Sequence, residues 1–484
     1  MKVLAFDFGA SSGRAILGTF ENGVISLEEI HRFDNEPVQM NGGFFWDLPR
    51  LFHEVKFGLA KAKEYDFKSV GVDTWGVDYA LVTKDGKLLG NPYNYRDERT
   101  VKTPQKVREI ISESELYNES GIQMMNFNTV FQLFETMQSE REIYDIADKV
   151  ILMPDLFGYL LTGEIYAEKT MASTTQLLDP YTKEWNFKLI EKLGLKKELF
   201  PKLINPGECV GKIKNEICKE LDINAVPVYS VCGHDTASAV AAVPAKDKDF
   251  VYISCGTWSL FGTELLKPCI TEKSAEHNIT NETGYADTTR VLKNIIGLWL
   301  IQETRRQFKR EGKNYSYAEM EKMAREAEAF KCFIDPDDPR FTPTGNQVQR
   351  IKDFCTETGQ YVPQTDGEVV RCIYESLAMK YRFTFDNLKD CTGKEFETIH
   401  MIGGGTKDGF LCQMTADSCG VPVIAGPIEA TAVGNIAVQL IAAGEIKDLS
   451  EAREIIAKSF DVVHYEPQNN GFLEKYEEFK KIIH

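Results

Sequence analysis

VLAFDFGASSGRAILGTF, residues 3–20, and FVYISCGTWSLFGTEL, residues 250–265, share one plan: an apolar strand, a tight turn of small residues, and a second strand. Two such hairpins half a chain apart point to an internal duplication in which each copy starts its own sheet and core. A chain of 484 residues agrees with this, because single cores stop growing at roughly 250 to 300 residues. The expected boundary lies near residue 245, in the polar, turn-prone stretch PAKDKD (244–249), which divides the chain into domains 1–245 and 246–484.

Working outward, the elements alternate between strands and helices. Leu51, Val55, Leu59 and Ala62 share one helical face, and Pro154 is placed to open a helix that runs through Leu161 and closes at Gly163. SVGVDTWGVDYALVT (69–83), followed by Asp85 and Gly86, reads as strand, turn, strand and hairpin. VVRCIYESLAMKYRFTFDNL (369–388) is an amphipathic helix that feeds the strand IHMIG (399–403). The fold class is mixed α/β.

The charge balance excludes several function classes. A formal net charge of −17 opposes non-specific binding to nucleic acid or to anionic membranes, yet a nucleotide can bind where backbone N–H groups and a bridging cation supply local positive potential. The opening MKVLAFDFG does not have the makeup of a leader, and no run reaches the roughly 18 apolar residues of a membrane span, so a cytoplasmic protein is expected. The eleven cysteines show neither CxxC nor a paired Cys/His knuckle, which predicts reduced thiols acting as small core residues and no zinc.

Four glycine-containing turns carry the chemistry. In DFGASSGR (7–14) the small residues let backbone approach a phosphate chain, and Asp7, at a strand end, suits Mg²⁺ held between carboxylate and phosphates; a plain hairpin with a capping acid reads as well. CGTWS (255–259) lacks the acid but keeps hydroxyls, with Thr257 as the candidate donor to the same triphosphate. VPVYSVCGHDTASAVAAV (226–243) runs as strand, turn at Gly233 and helix, placing Asp235 at a helix N-terminus. A carboxylate there can take the proton of an attacking hydroxyl, and the helix dipole is expected to lower its pKa; an ordinary N-cap is the alternative. MIGGGTKDGF (401–410) precedes the helix LCQMTADSCG, with Gly404 as the nucleotide candidate.

Other residues stay open at this level. Trp75 and Gly76 suit the apolar face and hydroxyls of a sugar, or Trp75 is a core tryptophan. Asn294, in VLKNIIGLWL (291–300) read as an apolar helix, is either a satisfied core amide or a sugar ligand. The acidic stretch from Asp335 to Pro339 reads as a solvated turn, since two prolines and the lack of ligand spacing speak against a cation site.

Taken in order, DFGASSGR, DTWGVDY, GHDTASAV, CGTWS, VLKNIIGLWL and IGGG, with HRFDNEP, YRDERT, SGIQMMNFNT, LMPDLFGYLLTGE and PIEATAVGNIAVQL, resemble the L-rhamnulose-phosphorylating branch of the FGGY carbohydrate kinases, from the first strand to about residue 445. The resemblance implies two actin-like, ribonuclease-H-like domains closing over ATP and a ketose, with phosphate passed to the 1-hydroxyl of L-rhamnulose. It further implies that Ala10, Ser11, Ser12, Gly13, Arg14, Thr257, Gln302 and Gly404 contact ATP. Gly76, His234, Thr236 and Asn294 would contact the sugar, and Asp235 would be the proton acceptor. Gly233, Cys255 and the run Thr406, Lys407, Asp408 depart from the family pattern. A monomer and a homodimer both remain open. The competing readings are another ketose such as L-fuculose or D-xylulose, a nucleotide-binding actin-like sensor, and a dinucleotide oxidoreductase; GASSGR in place of GxGxxG speaks against the last.

Overall fold

In a computed structural model, residues 1–246, 249–468 and 470–483 are described, so part of the expected PAKDKD boundary lies outside the described residues. Contacts divide the chain into two compact units. The first comprises Met1–Lys246, Glu264–Val291 and Ala430–Phe460; the second comprises Asp247–Thr263, Leu292–Glu429 and Asp461–His484.

In the first unit, strand β1 (Lys2–Phe8) turns back as β2 (Ser12–Glu21), which pairs with β3 (Val24–Asp34). Helix α1 (Leu48–Ala62) buries Leu51, Val55, Leu59 and Ala62 as the periodicity predicts. Strand β4 (Val70–Thr74) lies parallel to β1 and sets Asp73 opposite Asp7. Helix α2 (Met153–Thr162) begins with Pro154 in its first turn and ends on Gly163 in the left-handed conformation. Beyond it, β5 (Cys209–Lys212) and β6 (Pro227–Tyr229) complete the order β5-β6-β4-β1-β2-β3. Helix α3 (Asp235–Ala241) follows at once. The strand, turn, strand and hairpin expected from residue 69 onward are present: Tyr79–Val82 follows β4, and Gly86, at φ +78°, turns the chain so that Val82 bridges Leu88. The segment after Trp75 pairs antiparallel with Lys149–Leu152, in a separate two-stranded sheet.

The second hairpin is present as expected: β7 (Val251–Cys255) and β8 (Trp258–Leu265) pair antiparallel. With β9 (Thr280–Thr283), β10 (Thr289–Ile296), β11 (Ile399–Ile402), β12 (Val423–Ala425) and β13 (Val463–Tyr465), they form a sheet of order β9-β10-β8-β7-β11-β12-β13. The duplication is legible in the pairing. β1 has an antiparallel neighbour, β2, and a parallel one, β4; β7 likewise has β8 and β11. Each parallel neighbour is followed by a further parallel strand, and an antiparallel one closes that edge.

Helices α4 (Trp299–Arg310), α5 (Asp366–Thr392) and α6 (Gly409–Cys419) belong to the second unit, whose core includes Ile253, Phe261, Leu377, Tyr381, Met401 and Leu411. A capping box at Thr365 and Glu368 starts α5 and Gly393 ends it. Helix α7 (Ala430–Ala442) returns to the first unit. Among the described residues no helix is long and apolar enough to cross a membrane.

Two expectations about local structure are overturned. Asn294 lies on strand β10, since α4 begins only at Trp299. A ten-residue apolar run fits strand and helix equally, and Gly297 decides: a Cβ there would lie 2.4 Å from Ser259 Oγ. The stretch 335–339 is not a solvated turn. Asp335 is buried, and Lys380 Nζ donates to its Oδ1 at 2.8 Å while lying 3.1 Å from Asp337 Oδ2.

Candidate functional site

In the first unit the ends of β1, β4 and α3 bring together three carboxylates. Asp7, almost fully buried, accepts from Arg14 Nη2 at 2.5 Å, so the carboxylate on β1 and the guanidinium on β2 predicted to serve one ligand already meet. The loop is closed by Gly9 N–H donating to Ser12 O at 2.9 Å, and Asn35 Nδ2 donates to Gly9 O at the same distance. Gly13 is required, because a Cβ would run into the Phe33 ring at 2.2 Å.

Asp73, quoted above only as part of a motif, is the site residue that sequence reasoning missed. It is fully buried; Asn435 Nδ2 donates to its Oδ2 at 2.6 Å, and its Oδ1 has no hydrogen-bond partner. Burial and then the charge of Asp7 push its pKa well up, against the Asn435 hydrogen bond, so it favours the protonated form. The Asn435 amide is itself held by Gln439, which also bonds Leu4 O and Ser69 Oγ. Asn435 and Gln439 stand four apart on α7, so one helix face fixes β4 and β1 together. α7 can lie this close because Gly434 has no Cβ; one there would sit 1.8 Å from Ser238 O in α3.

β4 leads into Gly76 and Val77. Val77 has φ +66°, a strained value for a β-branched residue, in a turn closed by Asp78 N–H donating to Gly76 O at 2.9 Å. Its N–H donates to Thr174 Oγ1 and its carbonyl accepts from Thr129 Oγ1. Strain held this way accompanies functional sites. Trp75 takes the core alternative: it packs on Trp46 with ring centroids 4.0 Å apart, and both indole N–H groups donate to buried Asp78, at 3.0 and 2.7 Å.

His234 and Asp235 are positioned from two sides. Thr74 N–H donates to Gly233 O at 2.9 Å, and Gly233 N–H donates to the buried carboxylate of Glu168 at the same distance. His234 is the N-cap of α3 and Asp235 its first residue. Asp235 keeps 29% of its side chain exposed, and its Oδ1 accepts from Thr236 N at 2.6 Å and Thr236 Oγ1 at 3.2 Å. The expectation of a lowered pKa is overturned. Burial raises it, opposed by the neighbouring His234 and the Thr236 bonds and aided by Asp7; desolvation outweighs the dipole of a helix only seven residues long. Gly76 belongs to the same group, since a Cβ on it would lie 3.3 Å from His234 Nε2.

In the second unit, Thr257 and Gln302 are brought together, with Thr257 Oγ1 at 3.5 Å from Gln302 Oε1, because Trp299 N–H at the start of α4 donates to Thr257 O. Gly403 takes φ +87°, and a Cβ on Gly405 would lie 2.2 Å from Cys255 Sγ, so the glycine loop is fitted to the sulfur that departs from the family pattern. Gly404 is exposed, with open space where a Cβ would be. Asp408 caps α6 and accepts from Tyr374. Asn294 is half-buried on β10. A further cluster, without ligand spacing in the sequence, forms only in the fold. Cys332, Cys355 and Cys372, all buried, place their sulfurs within 4.8 Å of one another, and the contact with Cys355, with a smaller push from the Glu375 charge, raises the Cys332 thiol.

The oxygen donors at Asp7 and the orphaned, buried Asp73 Oδ1 suit a hard divalent cation such as Mg²⁺.

Residues 2–242 match the N-terminal domain, and 251–443 the C-terminal domain, of the FGGY family of carbohydrate kinases. A rhamnulokinase of Bacteroides thetaiotaomicron is 44% identical over 96% of this chain and 96% of its own. One from Bacillus subtilis is 42% identical over 96% and 95%. A ligand-bound xylulose kinase from Lactobacillus acidophilus superimposes with TM-score 0.83 at 18% identity over 99% of this chain and 97% of its own. Glycerol kinase from Plasmodium falciparum, with ADP, gives 0.78 at 16% over 99% and 97%.

Proposed function

The chain belongs to the FGGY family of carbohydrate kinases, and from that premise we propose that it transfers the γ-phosphate of ATP to the 1-hydroxyl of L-rhamnulose, giving L-rhamnulose 1-phosphate and ADP. The observation that carries the reading is the carboxylate of Asp235. It is partly exposed at the start of α3, raised in pKa, and set beside His234, Thr236 and Gly76. The full-length identity to proteins named rhamnulokinase supports the choice of ketose.

In this reading Asp235 accepts the proton of the attacking hydroxyl, and its raised pKa makes it a better base than a surface carboxylate. Gly76, His234, Thr236 and Asn294 hold the sugar. Ala10, Ser11, Ser12, Gly13 and Arg14 of residues 1–245, with Thr257, Gln302 and Gly404 of residues 246–484, hold the nucleotide. Asp7 is the residue to hold Mg²⁺, with Asp73 behind it. When bound, the ion neutralises charge on the phosphate oxygens. Arg14, now on Asp7, is long enough to turn to the phosphates instead.

ADP release, coupled to a colorimetric readout, tests this with a panel of L-rhamnulose, L-fuculose, D-xylulose and glycerol. L-Rhamnulose should give the highest kcat/KM. A clear preference for another member would replace the substrate, and no turnover with any would favour a nucleotide-binding sensor.

A further inference from the structure

His234 touches two buried charges that no part of the proposed reaction uses. Arg290, at 0% exposure, donates from Nη2 to His234 Nδ1 at 3.2 Å. Glu282, also buried, balances that charge: its Oε2 lies 3.0 Å from Arg290 Nη2 and 3.2 Å from His234 Nδ1. Arg290 Nε donates to Thr283 O, which fixes the guanidinium across the β9–β10 turn. All these residues lie in the first unit.

Of the two contacts at Nδ1 only that with the guanidinium has hydrogen-bond geometry, Glu282 Oε2 accepting from no partner; a guanidinium only donates, so this ring nitrogen is the acceptor and carries no proton. The proton of a neutral imidazole then resides on the other nitrogen. Nε2 lies 3.5 Å from Asp235 Oδ1, and a Cβ on Gly76 would stand 3.3 Å from it, so glycine keeps the space in front of this N–H clear.

We infer that Arg290 and Glu282 are positioning residues that lock His234 as the Nε2–H tautomer, so that the site presents one donor beside one acceptor to two oxygens on adjacent carbons of the substrate. This rests on the proposed ketose reaction. The hydroxyl on C1 gives its proton to Asp235, and the oxygen on C2 accepts from Nε2–H. The pair thereby orients C1 for attack and discriminates against alcohols lacking an oxygen at C2. Neither charge touches the substrate. Their effect runs through the ring they hold, and as an ion pair they add no net charge beside Asp235.

The direct test is ¹⁵N NMR of the histidines in the intact, ligand-free protein, with the His234 signals identified by their loss in H234Q. The expected result is an unprotonated Nδ1 and a protonated Nε2; a protonated Nδ1 overturns the inference. Because no sugar is present, this outcome is independent of which ketose the panel selects. Kinetics give a second measure. H234Q keeps an amide N–H near the Nε2 position and should stay within tenfold of the wild type in kcat/KM, whereas H234N, with its amide near Nδ1, should lose a hundredfold or more. Equal losses would refute the assignment. The charge-balanced double variant R290M/E282M should populate both tautomers and raise the ketose KM at least tenfold with the ATP KM unchanged. An unchanged tautomer in that variant would also refute it.

Discussion

Asp235→Asn separates binding from chemistry. Asn keeps the side-chain oxygen that accepts from Thr236 N and Oγ1, so α3 keeps its start, and the variant removes only the charge. General-base catalysis by a positioned side chain contributes about 10²- to 10⁴-fold. At 1.36 kcal/mol per tenfold, that is about 3 to 5 kcal/mol of barrier. Desolvation puts the loss toward the upper end, because the raised pKa of Asp235 brings it nearer the operating pH than a surface aspartate. The assay is steady-state ADP release with L-rhamnulose, alongside calorimetric titration of ATP. Expected are a kcat lower by at least a hundredfold, an ATP Kd within threefold of the wild type, and a melting temperature equal or higher, since a partly desolvated charge is gone. In the wild type the acidic limb of kcat/KM should fall at a pH above the ordinary aspartate value of 3.8. Turnover within tenfold of the wild type, or a limb at or below that value, would refute the role of Asp235.

Three further outcomes follow from the packing. Lys380→Met takes the ammonium from buried Asp335 and half-buried Asp337 while Lys293 stays near both, a loss of about 1.5 to 3 kcal/mol that lowers the melting temperature by roughly 3 to 12 °C in a unit of this size; a drop under 1 °C by scanning calorimetry would show that the pair is dispensable. Gly434→Ala puts a methyl 1.8 Å from the Ser238 carbonyl, so α7 must move off α3, and ketose turnover should fall at least tenfold even in the fraction that folds; wild-type kinetics would contradict the contact. Asp73 has a folded pKa above the usual 3.8, so its contribution to stability is full below that value and is lost as pH rises through the folded pKa. Asp73→Asn should flatten that decline in urea-unfolding midpoints, and an unaltered pH slope would count against a protonated Asp73.

What the sequence revealed was local. Residues 3–20 and 250–265 carry their strands and turns within one stretch, so both hairpins and the mixed α/β class were legible, and so was the run from Gly233 to Thr236. The failures involve distant partners. Asp335 reads as solvated until Lys380 arrives from α5. Asp73 reads as a strand residue until Asn435, far along the chain, reaches it. The pKa direction of Asp235 was misjudged because the helix dipole can be read from position, while desolvation depends on everything packed around the carboxylate. Asn294 reads as helical because VLKNII has no periodicity to separate a buried strand from a helix, and the close approach of Gly297 to Ser259 appears only in three dimensions.

The contact of Gly434 with Ser238 also sets a timetable for synthesis. Asp235 is translated first, but the helix that braces α3 leaves the ribosome roughly 200 residues later, about 10 to 40 s at ordinary elongation rates. A nascent chain or a product of termination within that interval therefore carries Asp235 without its brace, and the start of α3 is finished only once α7 has emerged.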